Sequence, residues 1–274
     1  MHFNNLSIIN KIKDGGQKSV FLAQHPSLNK VVYKHCKISS NSDSERITRE
    51  IDFLKSTSSP YFPKIFDTHL DKLNNNFEIM EEYIDGGALS DRLDHLWLEK
   101  DIIAFLKQLI IPVAILWEKR IVHRDIKPDN IMFRNNGSLV LIDLGIARFL
   151  DKSSLTKTIN IYGPCTPIYA APEQLVNQKR NIDFRTDQFA IGITLLQLFL
   201  GFHPFDPNQI PGCTANIIQN IMTGVYYSPQ LKGGCSSSFC TLIQKLLKNR
   251  QYQRFAKKED LIMFIDSNWG RFII

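Results

Sequence analysis

Apolar and polar residues alternate along much of the first third of the chain, as is typical of half-buried β-strands. Residues 6–37 alternate in this way, with one turn centred on residues 14–16 and a second near residues 26–29. Residues 64–82 alternate again around a turn at residues 72–76. Glycine, asparagine and proline at these breaks favour turns. The pattern therefore predicts a β-rich first part of the chain.

The segment between these strands has the spacing of a helix. Apolar side chains three and four positions apart lie on one face of residues 42–55, namely Ile47, Ile51 and Leu54. Asp43 or Ser44 is the predicted N-cap. Glu50 shares the apolar face, and a carboxylate in that position requires a cation. Lys34, at the end of an apolar strand, is the cation that we expect.

The rest of the chain contains longer apolar segments. One helix-like segment ends near Val122, and residues 186–200 are apolar on nearly every side, which predicts a buried helix. Gly201 ends that helix. Further helices are expected at residues 214–223, 236–248 and 258–267.

A polar run at residues 123–130, His-Arg-Asp-Ile-Lys-Pro-Asp-Asn, directly follows the apolar segment that ends near Val122. An isolated Asp–Asn pair is an ordinary surface loop. Phosphoryl transfer requires positioning and positive charge more than covalent chemistry. This run supplies a carboxylate, an amide oxygen and a lysine, the residue types for a base, a metal ligand and a counter-charge.

A second acidic residue follows a short apolar strand at residues 139–142. It opens the sequence Asp143-Leu144-Gly145, 18 positions after Asp125. A lone Asp-x-Gly is normally a turn. A segment rich in serine and threonine then precedes residues 166–173, Thr-Pro-Ile-Tyr-Ala-Ala-Pro-Glu.

These three motifs resemble signatures of the eukaryotic-type (Hanks-type) serine/threonine protein kinases. Residues 123–130 match H-R-D-x-K-x-x-N, residues 143–145 resemble D-F-G with leucine for phenylalanine, and residues 166–173 resemble T-P-x-Y-x-A-P-E. The compact length and the Ala-Ala-Pro-Glu-Gln ending look most like bacterial or phage-type members. The resemblance covers almost the whole chain.

The resemblance implies an α+β, two-lobed fold formed by a single kinase domain at residues 1–274. Residues 1–83 would form a small β-rich N-lobe and residues 84–274 a larger helical C-lobe, with ATP and magnesium in the cleft. The implied reaction transfers the γ-phosphate of ATP to serine or threonine hydroxyls of proteins. Lys127 together with Thr166 indicates these acceptors, because tyrosine kinases place different residues at both positions.

The resemblance also implies roles for individual residues. Asp125 would orient the acceptor hydroxyl, and Lys127 would lie against the γ-phosphate. Asn130 and Asp143 would hold Mg²⁺ or Mn²⁺, and Thr166 completes the implied catalytic set. The residues implied in nucleotide binding are Gly15, Val20, Lys34, Glu50, Glu82, Ile84 and Asp143.

The phosphate-covering loop departs from the family pattern. Residues 13–20 occupy the place of G-x-G-x-x-G-x-V, but only Gly15 and Val20 match. Lys13 and Lys18 replace the outer glycines, and either could touch phosphate instead. An ordinary hairpin turn is the alternative interpretation.

Lys34 would hold the α- and β-phosphates. The segment that follows the last predicted strand resembles the kinase hinge, so backbone groups near Glu82 and Ile84 would bind adenine. Met80 or Glu81 would guard the back of that pocket.

Two further contacts are implied. Asp187 would cap the backbone of the catalytic loop, and Arg254 would pair with Glu173. Leu144 keeps an apolar side chain at the phenylalanine position of the D-F-G motif.

Arg124 precedes the implied catalytic aspartate and would pair with a phosphate in the segment between the two later motifs. We therefore predict autophosphorylation at Thr156 or Thr158. A flexible polar loop is the alternative for this segment.

Composition adds few constraints. A hydrophobic content of 43% in 274 residues suffices for a large core, and the net charge of +6 is spread without a long basic block, so no specific nucleic-acid partner is expected. Five cysteines without a C-x-x-C motif predict a reduced, cytoplasmic protein. No signal segment or apolar run of membrane-spanning length is visible, so no membrane span is expected. The oligomeric state is not predicted.

Three alternatives to an active protein kinase stay open at this point. A pseudokinase that acts as a binding module would share the fold and is supported by the altered glycine loop. A small-molecule phosphotransferase would keep an H-x-D-x-x-x-x-N loop without the Ala-Pro-Glu segment. A regulatory kinase domain from a membrane receptor would look the same over these residues.

Overall fold

The computed structural model describes residues 3–14, 18–144, 148–149 and 165–272. These residues form two compact units. The first contains the described residues of 1–87 and 133–145, and the second contains those of 88–132 and 146–274. This division differs from the expected boundary after residue 83. Residues 84–87 and 133–145 group with the strands of the first unit. There, the N–H of Leu141 donates to the carbonyl of Tyr61 at 2.9 Å.

The first unit is built on one antiparallel sheet. Its strands are Ser7–Asp14 (β1), Lys18–His25 (β2), Asn29–Lys37 (β3), Ile65–Asp71 (β4) and Asn76–Glu82 (β5). They lie in the order β1-β2-β3-β5-β4. The predicted β-rich first part is confirmed, and the described turns at residues 26–28 and 72–75 fall where proline and asparagine interrupt the alternation.

One helix, Asn41–Thr57 (α1), packs on this sheet. Its apolar face carries Ile47 and Ile51, which form a buried cluster with Cys36, Phe77 and Ile79 of β3 and β5. The residues on the sheet alternate, so every second side chain of these strands points toward the helix. This places the face that bears Lys34 beside α1.

The predicted N-cap of α1 was wrong. The structure has Ser40 in that position, with its hydroxyl accepting a hydrogen bond from the N–H of Asp43 at 3.2 Å. Asp43 already lies inside the helix, and its carboxylate accepts from the N–H of Ser39 and the hydroxyl of Ser40. Several adjacent polar residues could each cap a helix, and the sequence pattern did not separate them.

The second unit is mainly helical. Its helices are Glu99–Glu118 (α2), Pro172–Leu175 (α3), Phe184–Leu200 (α4), Ile217–Thr223 (α5), Pro229–Lys232 (α6), Ser237–Leu246 (α7) and Lys258–Ser267 (α8). The short strands of the second half are Ile121–Val122 (β6), Ile131–Phe133 (β7), Leu139–Leu141 (β8) and Arg148–Phe149 (β9). β6 pairs antiparallel with β9. The apolar segment that ends near Val122 is therefore a helix followed by a strand.

Helix α4 is buried on nearly every side, as its sequence predicts. The Asp183 side chain caps its first turn by accepting from the N–H of Arg185. Gly201 ends it with φ 84°, a left-handed conformation that glycine adopts without steric cost. The three later helices are also confirmed, with ends shifted by up to three residues.

A buried ion pair joins distant parts of the second unit. Arg254 donates to both oxygens of Glu173 at 2.7 and 3.1 Å, and Thr186 donates to one of them at 3.0 Å. The Arg254 side chain is 0% exposed. The predicted pair is confirmed, and a buried bidentate pair of this kind fixes the geometry of its neighbours.

None of the helices within the described residues has both the length and the apolar character that crossing a bilayer requires.

Candidate active site

The polar run at residues 123–130 is held in place by one buried carboxylate. Asp187 is 0% exposed and accepts hydrogen bonds from the N–H of His123 at 3.0 Å and of Arg124 at 2.9 Å. The indole N–H of Trp117 donates to it at 2.9 Å. Burial raises the pKa of Asp187, although nearby His123 and these donors favour its charged form. The predicted cap of the catalytic-loop backbone is confirmed.

This cap stabilises a sparsely populated backbone conformation. Arg124 has φ 73°, in the left-handed region that residues with a Cβ rarely adopt. Its carbonyl accepts from the side-chain amide of Gln174 at 2.9 Å, so the peptide groups on both sides of Arg124 are hydrogen-bonded. Strain of this kind persists where the surroundings determine the conformation. Here the result is a fixed position for the next residue, Asp125.

The structure brings Asp125, Lys127, Asn130 and Thr166 into one hydrogen-bonded group. The Asp125 carboxylate accepts from the N–H and the hydroxyl of Thr166, at 3.0 and 2.6 Å, on one oxygen. Its other oxygen accepts from the amide of Asn130 at 3.0 Å and lies 3.1 Å from the Lys127 ammonium. Lys127 also donates to the Thr166 hydroxyl at 2.5 Å. The spacing of residues 123–130 alone could not show that Thr166, about 40 positions later, completes the group.

Asn130 uses its amide N–H groups within this loop. They donate to the backbone carbonyl of Asp125 at 2.8 Å and to its carboxylate. The amide oxygen of Asn130 makes no hydrogen bond with the described residues. This oxygen is the atom of Asn130 that suits a cation, because Mg²⁺ prefers oxygen ligands.

In the first unit, Lys34 pairs with Glu81 and not with Glu50. The Lys34 ammonium lies 2.7 and 2.5 Å from the two Glu81 oxygens, and both side chains are less than a tenth exposed. The register of β3 with β5 explains this result. Lys34 lies opposite Ile79, and Val32 lies opposite Glu81. Lys34 and Glu81 are therefore diagonal neighbours on one face of adjacent strands. The predicted Lys34–Glu50 pair was therefore wrong.

Glu50 is consequently buried without an ion pair among the described residues. Burial raises the pKa of Glu50, and the positive charges of Lys18 and Lys34 offset this effect only in part. The predicted position of Glu50 on the inward face of α1 is confirmed. No pattern in the residues indicates that the strand residue Glu81 would pair with Lys34.

Asp143 also has a cation beside it. The ammonium of Lys18 lies 2.7 Å from one carboxylate oxygen of Asp143. Although burial opposes the charged form, Lys18 and then Lys34 lower the pKa of Asp143 well below its usual range. Burial would by itself lower the pKa of Lys18, but the charges of Asp143 and Glu50 raise it above its usual range. Asp143 has φ 64°, and the adjacent Leu144 is buried, as its apolar character predicts.

The residue chemistry fits a hard divalent cation. Asn130 offers an amide oxygen and Asp143 offers a carboxylate that already attracts a cation. No cluster of three or more histidine, cysteine or acidic residues suited to a metal occurs within the ranges that the structure describes. Mg²⁺ is commonly held by one or two protein oxygens plus the phosphates of a nucleotide, and the side-chain oxygens of Asn130 and of Asp143 are each of the type that it prefers.

The other implied nucleotide contacts are placed as follows. Val20 and Ile84 are buried. The N–H of Glu82 donates to the carbonyl of Lys64, and its carboxylate binds Arg134 at 2.9 Å through both oxygens. The Glu82 N–H is therefore already engaged. Gly15 lies outside the described residues, as do the predicted phosphorylation sites Thr156 and Thr158.

Comparison with known proteins shows the family. Residues 6–263 match the model for the protein kinase domain, so the chain belongs to the protein kinase family. The α+β fold expected from the resemblance is confirmed, with a five-stranded antiparallel sheet in one unit and helices in the other.

Similar curated proteins include kinases of the plant Arabidopsis thaliana and of fission yeast. The chain is 26% identical over 218 residues to mitogen-activated protein kinase kinase 7 of Arabidopsis thaliana. The aligned region covers 79% of this chain and 69% of that protein. It is 27% identical over 282 residues to the probable serine/threonine protein kinase IRE4 of the same plant, covering 92% of this chain but 26% of that protein. A serine/threonine-protein kinase of Schizosaccharomyces pombe, ppk34, is 28% identical over 219 residues, which cover 78% of this chain and 58% of that protein.

The two buried glutamates of the first unit are expected to respond differently to replacement by glutamine. Glu81→Gln leaves the buried Lys34 ammonium without a charged partner, and we expect the free energy of unfolding to fall by about 3 kcal/mol. Glu50→Gln is expected to cause no loss at neutral pH. Because the pKa of Glu50 is raised on folding, its ionisation opposes folding above that pKa.

Urea unfolding of the two variants and the parent chain measures both effects. Any stabilisation by Glu50→Gln should shrink as the pH falls, because protonation of Glu50 removes the same penalty in the parent chain. A larger loss for Glu50→Gln than for Glu81→Gln would contradict the observed pairing.

Proposed function

We propose that this protein kinase domain transfers the γ-phosphate of ATP to serine or threonine hydroxyls of proteins. The observation that carries the proposal is the hydrogen-bonded group of Asp125, Lys127, Asn130 and Thr166. It places a carboxylate, an ammonium and an amide oxygen on one fixed loop. Phosphoryl transfer depends on such positioning and on charge stabilisation.

Each residue has a role that its contacts support. Asp125 accepts a hydroxyl hydrogen bond from Thr166 at 2.6 Å, which is the interaction that an acceptor serine or threonine would need from a base. Lys127 supplies positive charge for the transferring phosphoryl group. Asn130 and Asp143 each offer an oxygen that would suit Mg²⁺ or Mn²⁺, and a bound metal would neutralise charge on the phosphates.

Serine or threonine specificity has two supports. Lys127 and Thr166, the pair that the resemblance connects with these acceptors, are in direct hydrogen-bonding contact. Two of the similar proteins are named as serine/threonine protein kinases. The resemblance to bacterial or phage-type members stays a prediction, since the relatives above are from plant and yeast.

A pseudokinase is the second candidate. The specific observation in its favour is that Glu81 engages Lys34 and Lys18 engages Asp143. Both residues that the family would direct at ATP and metal thus have protein partners. A domain of this kind would bind partners through its surface and would transfer no phosphate.

Incorporation of labelled phosphate from ATP and Mg²⁺ into generic basic proteins separates these candidates. We expect label on serine or threonine, and a loss of about 100-fold or more in rate for Asp125→Ala. Asp129→Ala is the matched control, because Asp129 is an exposed carboxylate of the same loop, and its rate should stay near that of the parent chain.

Absence of label together with stabilisation by ATP would favour the pseudokinase. Label that survives Asp125→Ala would contradict the role of this carboxylate.

We further propose autophosphorylation of Thr156 or Thr158. A phosphate on either residue would add about two negative charges and would be able to pair with Arg124. Mass spectrometry after incubation with ATP should find phosphate on one of these threonines, and the Asp125→Ala variant should lack it. Unmodified threonines in a chain that phosphorylates other proteins would refute this proposal.

A further inference from the structure

Two cysteines meet at the start of helix α7. The Sγ atoms of Cys235 and Cys240 lie 3.1 Å apart, within hydrogen-bonding distance for two thiols. Both are free thiols, and their separation exceeds the S–S bond of a disulfide by only about 1 Å. A small movement of one side chain would therefore bring the two sulfurs to bonding distance.

The backbone of the helix start holds the two side chains together. Ser236 is the N-cap of α7, and its hydroxyl accepts from the N–H of Phe239 at 3.0 Å. Cys235 thus precedes the N-cap, and Cys240 is the fourth residue of the helix. Side chains at these two positions commonly meet across the first turn. The proximity of the thiols is therefore a consequence of the cap.

A second contact fixes the cap from outside the helix. The buried Glu99 carboxylate, at the start of α2, accepts from the N–H of Ser236 at 2.7 Å and from its hydroxyl at 2.5 Å. On the other side of Cys235 the chain is less constrained, because residues 233 and 234 are exposed glycines. Cys235 can thus shift toward Cys240 while Ser236 stays in place.

The two thiols differ in their access to solvent. Cys235 is partly exposed, whereas Cys240 is 7% exposed. Burial, and then the hydrogen bond with Cys235, raise the pKa of Cys240 to about 12, so Cys240 keeps its proton at neutral pH. A dissolved oxidant has to reach the sulfur that it attacks. Cys235 is therefore the thiol that such an oxidant meets first.

We propose that Cys235 and Cys240 form a modification site at which a peroxide produces an intrachain disulfide. The Cys235 sulfur attacks one oxygen of hydrogen peroxide, the O–O bond breaks, and Cys235 becomes a sulfenic acid. The Cys240 sulfur then attacks the Cys235 sulfur, and the S–O bond breaks. The departing hydroxide takes the Cys240 proton and leaves as water.

The reaction is balanced and reversible. The two thiols together lose two protons and two electrons, and one hydrogen peroxide is reduced to two molecules of water. A small thiol reverses the reaction by exchange. Neither cysteine belongs to the hydrogen-bonded group around Asp125, so the inference is independent of the proposed function.

Peptide mass spectrometry of the full chain tests the proposal. Trypsin cleaves after Lys232 and Lys245, so residues 233–245 form one peptide that contains these two cysteines and no other. The chain is treated with hydrogen peroxide, and the remaining thiols are alkylated in denaturant before digestion. A disulfide protects both cysteines from alkylation, and treatment with dithiothreitol before alkylation restores both.

We expect the two cysteines to lose alkylation together, at a rate at least about tenfold above that of Cys213. Cys213 is the matched comparison, because it is also partly exposed but has Asn220 as its neighbour, with Sγ 3.2 Å from the amide oxygen. This comparison uses the parent chain alone, so it does not depend on the folding of any variant.

Substitutions then test the order of the two steps. Cys240→Ala should stop disulfide formation and leave a sulfenic acid on Cys235, which dimedone traps. Cys235→Ala should leave Cys240 open to alkylation in denaturant, because the buried thiol is protected from peroxide in the folded chain. Cys213→Ala should leave disulfide formation unchanged.

Three results would overturn the inference. The first is a peptide 233–245 that keeps both alkyl groups at a peroxide concentration that already oxidises Cys213. The second is oxidation of Cys235 to a sulfinic acid with Cys240 still alkylated, which would show that the buried thiol does not react. The third is a reducible dimer in place of the intrachain product.

Discussion

A carboxylate that folding removes from water needs a cation or several hydrogen-bond donors beside it, and in the first unit Glu81 meets this requirement with Lys34. That pairing determines the state of the neighbouring charges. Glu50 faces the same region from helix α1 but has no ion pair among the described residues, and its pKa rises. Asp143 pairs with Lys18. The arrangement thus pairs two lysines with two carboxylates, and the third carboxyl group, Glu50, has a raised pKa.

The second unit applies the same requirement to its own buried charges. Asp187 receives two backbone N–H groups and an indole N–H, and Glu173 receives both arms of the Arg254 guanidinium. Neither acid is exposed enough for water to replace these donors. Such contacts set the backbone at residues 123–130, and the position of Asp125 follows from them.

Much of this organisation could be predicted from the sequence. Alternation located the strands of the sheet, and the continuous apolar character of residues 186–200 located α4, because periodicity records which faces are buried. The roles of Asp187 and Arg254 followed from a family resemblance whose motifs fix their neighbours. The residues of the polar run came together as their spacing suggested, since they lie in one loop.

The partners of Lys34 and Lys18 could not be predicted in this way. Lys34 and Glu81 meet diagonally across two strands, so their contact depends on a register that neither strand specifies alone. Lys18 belongs to the segment that departs from the family pattern, and its partner Asp143 is 125 positions away in the chain. Ser40 replaced the expected N-cap because neighbouring polar residues are equally suited to that role. In each case several residues have suitable chemistry, and the tertiary structure determines which of them makes the contact.

The most direct test of the Lys34–Glu81 pairing is a pair of double-mutant cycles on the free energy of unfolding. One cycle combines Lys34→Met with Glu81→Gln, and the other combines Lys34→Met with Glu50→Gln. The observed geometry predicts a coupling energy of about 2 kcal/mol for Lys34 with Glu81 and a much smaller one for Lys34 with Glu50. A larger coupling between Lys34 and Glu50 would contradict it.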